Sequence, residues 1–293
     1  MDKKVLLWVS ISLVYVVLAL TLYVNLGFPN GTNDFVFHYF KANHEYNEIL
    51  VADGYDLNVF FNYPSLFHEL VFFAPDPFLF WLVGFSIIFI GIPFLLYKIS
   101  KTLYVIPLYF CLINFPHFAI FSSVYPSSFV ILLALIYFYK RNCFVWLACF
   151  YLATLSHRSG FNLFMLILVA EFLAFILKEK LNLAVVLVGV TYNLQQLYNI
   201  VILYLPVYVI IPALHVMAKK REYFYFIILF VSFLGMQYDI RTLGIAQMII
   251  VIFSAKYFET FKYKKLFWFA CFFMLFVNFL FYIPRIVLSV IFI

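Results

Sequence analysis

The stretch T-L-S-H-R-S-G-F-N-L-F-M-L-I-L-V-A-E-F-L-A-F-I-L-K-E-K, residues 154–180, decides the fold. From Gly160 to Leu177 its only charge is Glu171. His157 and Arg158 close the run at one end, and Lys178 and Lys180 close it at the other. An apolar helix of that length is what the hydrocarbon layer of a bilayer accommodates, and flanking charges stop it from sliding. The same arrangement recurs along the chain. Breaks at charges, Pro and Gly give apolar segments at 5–27, 79–97, 102–120, 124–139, 143–156, 160–177, 181–196, 199–217, 222–236, 241–258 and 265–283. The fold expected is an all-α, polytopic transmembrane bundle of about 11 spans in one integral membrane domain, residues 1–293. Segments 124–139, 143–156 and 222–236 are short enough to be re-entrant.

Composition points the same way. Apolar residues make up 67% of the chain and charged residues 11%, more apolar surface than a soluble core of this length buries. The net charge of +6 does not indicate nucleic acid, because the basic residues sit in pairs at the ends of apolar runs, where membrane orientation requires them. Cys111, Cys143, Cys149 and Cys271 lie in or beside apolar runs without a C-x-x-C pair, so they read as small buried hydrophobes. The run Val5–Gly27 exceeds a signal-peptide core and lacks a small-x-small end, so it reads as a retained first span.

The charges orient the bundle. With the N-terminus cytoplasmic and the C-terminus external, 15 of the 19 Lys and Arg fall inside. Lys41, Arg158, Arg241 and Arg285 remain outside, where topology gives no reason for them. Seven acidic residues lie in the first external loop, 28–78, by far the longest connection and expected to carry juxtamembrane helices. A long loop in an otherwise minimal protein is usually functional.

The chemistry-bearing residues cluster at that external level. Thr32 or Asn33 is placed to cap a helix on which Asp34 and His38 share a face at i, i+4. That pair suits a base and its partner, or two ligands of a divalent metal; the plainer reading is a helix-capping acid and an interfacial His. No other cofactor is indicated. The loop closes N-Y-P-S-L-F-H-E, residues 62–69, where Pro64 suits the start of a surface helix. Tyr63, His68 and Glu69 are candidates there, although Tyr63 also suits an aromatic belt. His157 and Arg158 interrupt an apolar stretch, which is costly unless the arginine meets an anion or a carboxylate. Asp239 and Arg241 sit at another outer boundary, with Arg241 suited to a phosphate and a structural pairing of the two as the alternative. Glu171, near the inner end of its span, is expected to pair with a loop lysine.

Two of these segments carry a resemblance. N-D-F-V-F-H-Y (33–39) and Y-P-S-L-F-H (63–68) look like elements of the GT-C superfamily of membrane glycosyltransferases, with Ser65 in place of a second proline. Those enzymes take sugars from polyprenyl-phosphate carriers. They place an acid in the first external loop and often end that loop in a Y-P-P-L-type sequence. L-A-T-L-S-H-R-S-G (152–160) is similar to the A-x-x-x-H-x-S-A pattern of EpsG/Wzy-like polysaccharide polymerases, with Gly160 at the last Ala. The resemblance implies a polyprenyl-phosphate-linked sugar donor and a glycan, lipid or protein acceptor. It makes Asp34 the catalytic acid or base and Arg241, with Arg158, the ligands of the departing phosphate. His38, Tyr63, His68, His157 and Asp239 would complete the substrate site. The donor would enter from the bilayer, which agrees with the lack of any G-x-x-x-x-G-K or G-x-G-x-x-G loop.

Two readings of other classes stand beside this one. A lipid or small-molecule transporter would carry charges at the membrane midplane and broken helices in two similar halves, and neither pattern is evident. A non-catalytic assembly subunit is the other.

Overall fold

A computed structural model describes residues 33–44, 57–72, 76–112, 125–177, 207–220, 222–235, 243–271 and 273. Among them every regular element is helical. The loop 28–78 contributes α1 (Asn33–Ala42), α2 (Leu57–Asn62) and α3 (Leu66–Val71). Then come α4 (Pro77–Ser86), a π turn (Ile87–Gly91), α5 (Ile92–Ser100), α6 (Val105–Leu112), α7 (Tyr125–Lys140), α8 (Cys143–Ser156) and α9 (Arg158–Leu177). After these come α10 (Val207–Lys219), α11 (Tyr223–Gly235) and α12 (Leu243–Thr260). A further helical stretch runs over 264–271. The spans expected at 5–27 and 181–196 lie outside the described residues.

Helix boundaries follow local chemistry. The Asn142 side chain accepts the Phe144 N–H and caps α8, while Lys101 takes a left-handed conformation that ends α5. The π turn has a cause two residues beyond it. Pro93 has no N–H, so the hydrogen-bond ladder resets with the Ile92 N–H on the Ile87 carbonyl. That leaves the Ile88 carbonyl over, and the buried Tyr109 hydroxyl of α6 donates to it at 2.7 Å.

Two helices, Leu82–Ser100 and Arg158–Ile176, are long and apolar enough to cross a membrane. Pro126–Lys140, Cys143–Ser156, Val209–Lys219 and Tyr223–Ser232 are apolar but shorter. At a rise of ~1.5 Å per residue, α8 spans roughly 21 Å, less than the ~30 Å hydrocarbon core.

α12 is the central helix, packed against α5, α6, α7, α10 and α11, and nearly all of its residues from Ile245 to Ala255 are buried. The Ser254 hydroxyl joins it to the Val209 carbonyl of α10. α7, α8 and α9 pack in succession, and α9 returns to α12 through α11. α3 rests on α8 and α1 rests on α3, while Phe67 of α3 also meets Phe129 of α7 and Phe80 of α4, so α3 joins the loop helices to the bundle.

Two expectations are corrected. Glu171 does not pair with a loop lysine: Arg141 reaches both its carboxylate oxygens at 2.9 and 3.0 Å, and the Tyr137 hydroxyl donates to it at 2.6 Å. The left-handed backbone at Arg141 turns that side chain back toward α9. Cys143 is exposed, because it opens α8 at its solvent-facing start, whereas Cys111, Cys149 and Cys271 are buried.

Candidate functional site

The site begins at the junction of α8 and α9. His157 alone links them, in extended conformation, and its N–H still bonds to the Ala153 carbonyl at 3.0 Å. Gly160 allows so abrupt a reversal, since a Cβ there would lie 2.1 Å from the Ala153 oxygen. An alanine, the residue of the similar pattern, does not fit this turn.

The turn also fixes the state of His157. The Ser159 backbone N–H, which can only donate, lies 3.0 Å from Nδ1, and the Ser159 hydroxyl lies 2.5 Å from it. Nδ1 is therefore the acceptor, and the proton of the neutral ring is on Nε2. The imidazole is 2% exposed.

Tyr63, in the turn between α2 and α3, is the hub. Its ring centroid lies 5.5 Å from that of His38, 5.8 Å from His68 and 5.9 Å from His157. The Arg158 guanidinium carbon sits 5.3 Å from the same ring. Among the described residues Arg158 has no carboxylate partner. Its charge is met by the ring face, a contact that does not consume its N–H donors. Five predicted residues, His38, Tyr63, His68, His157 and Arg158, thus come together from three separate parts of the chain.

Within the cluster His38 Nδ1 and His68 Nε2 are 2.9 Å apart, with their rings stacked. Both side chains are buried. Burial first, and the nearby Lys41 charge second, push His68 down to about 3, while the Pro64 and Ser65 carbonyls oppose the shift. His68 is therefore neutral at physiological pH. Its Nδ1 is enclosed and has no partner in hydrogen-bond geometry.

Lys41, one turn after His38, is a site residue that the sequence reading passed over. It is 7% exposed and donates to the Phe60 carbonyl at 2.6 Å, which ties α1 to α2. Burial lowers its ammonium and the Glu69 carboxylate opposes that shift. Its signal was available, since it is one of the four basic residues that the expected topology leaves unexplained. Glu69 faces His44 at 3.3 Å on the exposed rim.

Asp34 lies in α1 one turn before His38, but its side chain lies outside the described residues, as do Asp239 and Arg241 entirely. Among the described residues no group of three or more His, Cys, Asp or Glu side chains is arranged to hold a metal ion.

No protein family, curated protein or solved structure matches this chain.

Proposed function

We propose that this chain is a multi-pass membrane glycosyltransferase of about 11 spans, with a cytoplasmic N-terminus and an external C-terminus. It moves a sugar from a polyprenyl-phosphate carrier to a hydroxyl acceptor on the external face. The observation that carries the reading is the meeting of His38, Tyr63 and His68 of the long loop with His157 and Arg158 of the α8–α9 turn. Such a set combines unprotonated imidazole nitrogen with a permanent cation, as transfer from a phosphate leaving group requires. A lipid carrier is supported by the outer faces of α8 and α9, where Phe144, Tyr151, Phe172 and Phe175 are each more than 60% exposed. Aromatic surface on that scale calls for a lipid or protein covering.

In this reading Asp34 acts at the acceptor, and Arg158 with Arg241 stabilises charge on the departing phosphate. The test is transfer of labelled sugar from a polyprenyl-phosphate donor by the full chain in liposomes. Asp34→Asn is expected to slow transfer by about 10²–10⁴ while insertion is retained. Arg158→Ala is expected to weaken donor use. Full activity in both variants overturns the proposal.

A further inference from the structure

The end of the bundle away from the histidine cluster carries cations that the proposed reaction does not use. α5 and α7 pack side by side, and the contact of Lys101 with Tyr139 brings their ends to one level. Two ammonium groups share the Tyr139 ring, Lys101 Nζ at 5.7 Å from its centroid and Lys140 Nζ at 5.1 Å. A ring face attracts a cation, but two like charges on one ring repel each other. Among the described residues neither lysine has a carboxylate partner, and the carboxylate of Glu171 is taken by Arg141. Lys101 also holds a left-handed backbone, φ 62°, where glycine is favoured and a Cβ is strained. A cation kept at a strained position, beside a second cation and without an anion from its own chain, calls for an anion from outside.

The surface that leads away from this pair is apolar. Ile90 of the π turn and Phe94 and Tyr97 of α5 are exposed, and their spacing puts them on one face. Lys98 lies over Phe94, one turn before Lys101. Lys264 lies over Tyr104, just beyond the same turn of the chain. Cations therefore border the apolar strip at one end only, as a lipid with an anionic head requires.

We propose that Lys101 and Lys140, joined by the Tyr139 ring, bind the phosphate of an anionic glycerophospholipid whose acyl chains lie along Ile90, Phe94 and Tyr97. Lys98 and Lys264 add outer positive charge. A free phosphate has no use for the apolar strip. A choline headgroup brings its own cation to a site that already has too many, so a net negative lipid is favoured over a zwitterionic one. The inference goes beyond sugar transfer and rests only on the membrane-spanning part of the reading above. The site is at the opposite end of the bundle from Arg158, so it is not the donor's.

The test is native mass spectrometry of the full chain in detergent, titrated with dioleoylphosphatidylglycerol or dioleoylphosphatidylcholine. The phosphatidylglycerol should be retained in preference. Lys101→Gln with Lys140→Gln should weaken its retention by about 10- to 30-fold. Lys219→Gln with Lys220→Gln removes the same charge outside the site and should leave retention unchanged. Lys101→Gly suits the left-handed backbone, so it should keep or raise Tm in lipid-free detergent while weakening retention; a lost fold then cannot explain the lost lipid. Equal retention of the two lipids, or equal weakening by the two double variants, overturns the site. Displacement of the phosphatidylglycerol by equimolar polyprenyl phosphate overturns the assignment to a glycerophospholipid. A chain that transfers no sugar but shows this lipid preference refutes the reaction and leaves the site standing.

Discussion

A neutral histidine inside a cluster of cations makes the site sensitive to acid. His68 is held down to about 3, against an ordinary value of 6.5, so the packed state disfavours its proton and a released loop takes it up. Its contribution to stability is therefore complete above pH 6.5 and is lost as pH falls from 6.5 toward 3. The protection factors of the α3 amides, each taken against the intrinsic exchange rate at the same pH, should be lower at pH 5 than at pH 7.5, and His68→Gln should remove most of that difference. Equal protection at both pH values would contradict the burial of a neutral imidazole there. The sequence made His38, Tyr63, His68, His157 and Arg158 legible individually, because polar groups beside apolar runs stand out. It did not show the His38–His68 bond or the role of Tyr63 as a hub. Those depend on how α1 and α3 cross, which no local pattern encodes.

At the scale of elements, two local devices hold the arrangement. Gly160 lets α9 start one residue after α8 ends. Gly160→Ala forces a Cβ against the Ala153 carbonyl, and overpacking of this kind typically costs ~1–3 kcal/mol. The expected result is a lower Tm together with altered ring signals of His157; an unchanged Tm and unchanged signals would refute the tight turn. Tyr109 completes the π turn by serving the Ile88 carbonyl. Tyr109→Phe leaves that carbonyl buried without a donor, at a cost of ~1–3 kcal/mol in thermal or denaturant unfolding. A neutral substitution would mean that the carbonyl finds another partner. Helix α8 occupies the segment read from the sequence at 143–156, since Asn142 marks its start and His157 its stop. The π turn was not legible, because a proline inside an apolar run does not say whether the ladder kinks, breaks or resets. The Arg141–Glu171 pair was missed for a similar reason: the left-handed turn at Arg141 exchanges which basic residue reaches the carboxylate.

On the scale of the whole molecule, α8 and α9 separate two kinds of polar chemistry. Arg141, Glu171 and Tyr137 lie at one end of the pair, and His157 and Arg158 lie at the other, roughly 20 Å away at ~1.5 Å per residue. Lys98, Lys101, Lys140 and Lys264 sit over aromatic rings, with Lys98 over Phe94 and both Lys101 and Lys140 over Tyr139. This is how long cationic side chains rest at an interface. The central claim is that this basic end is cytoplasmic and the histidine cluster external. Single cysteines at Asn58 and Lys264, both exposed, test it in a Cys143→Ser background that removes the exposed native thiol. The account predicts that a membrane-impermeant thiol reagent labels Asn58→Cys on intact cells and Lys264→Cys only after the membrane is opened. Labelling of both from the same side would contradict it.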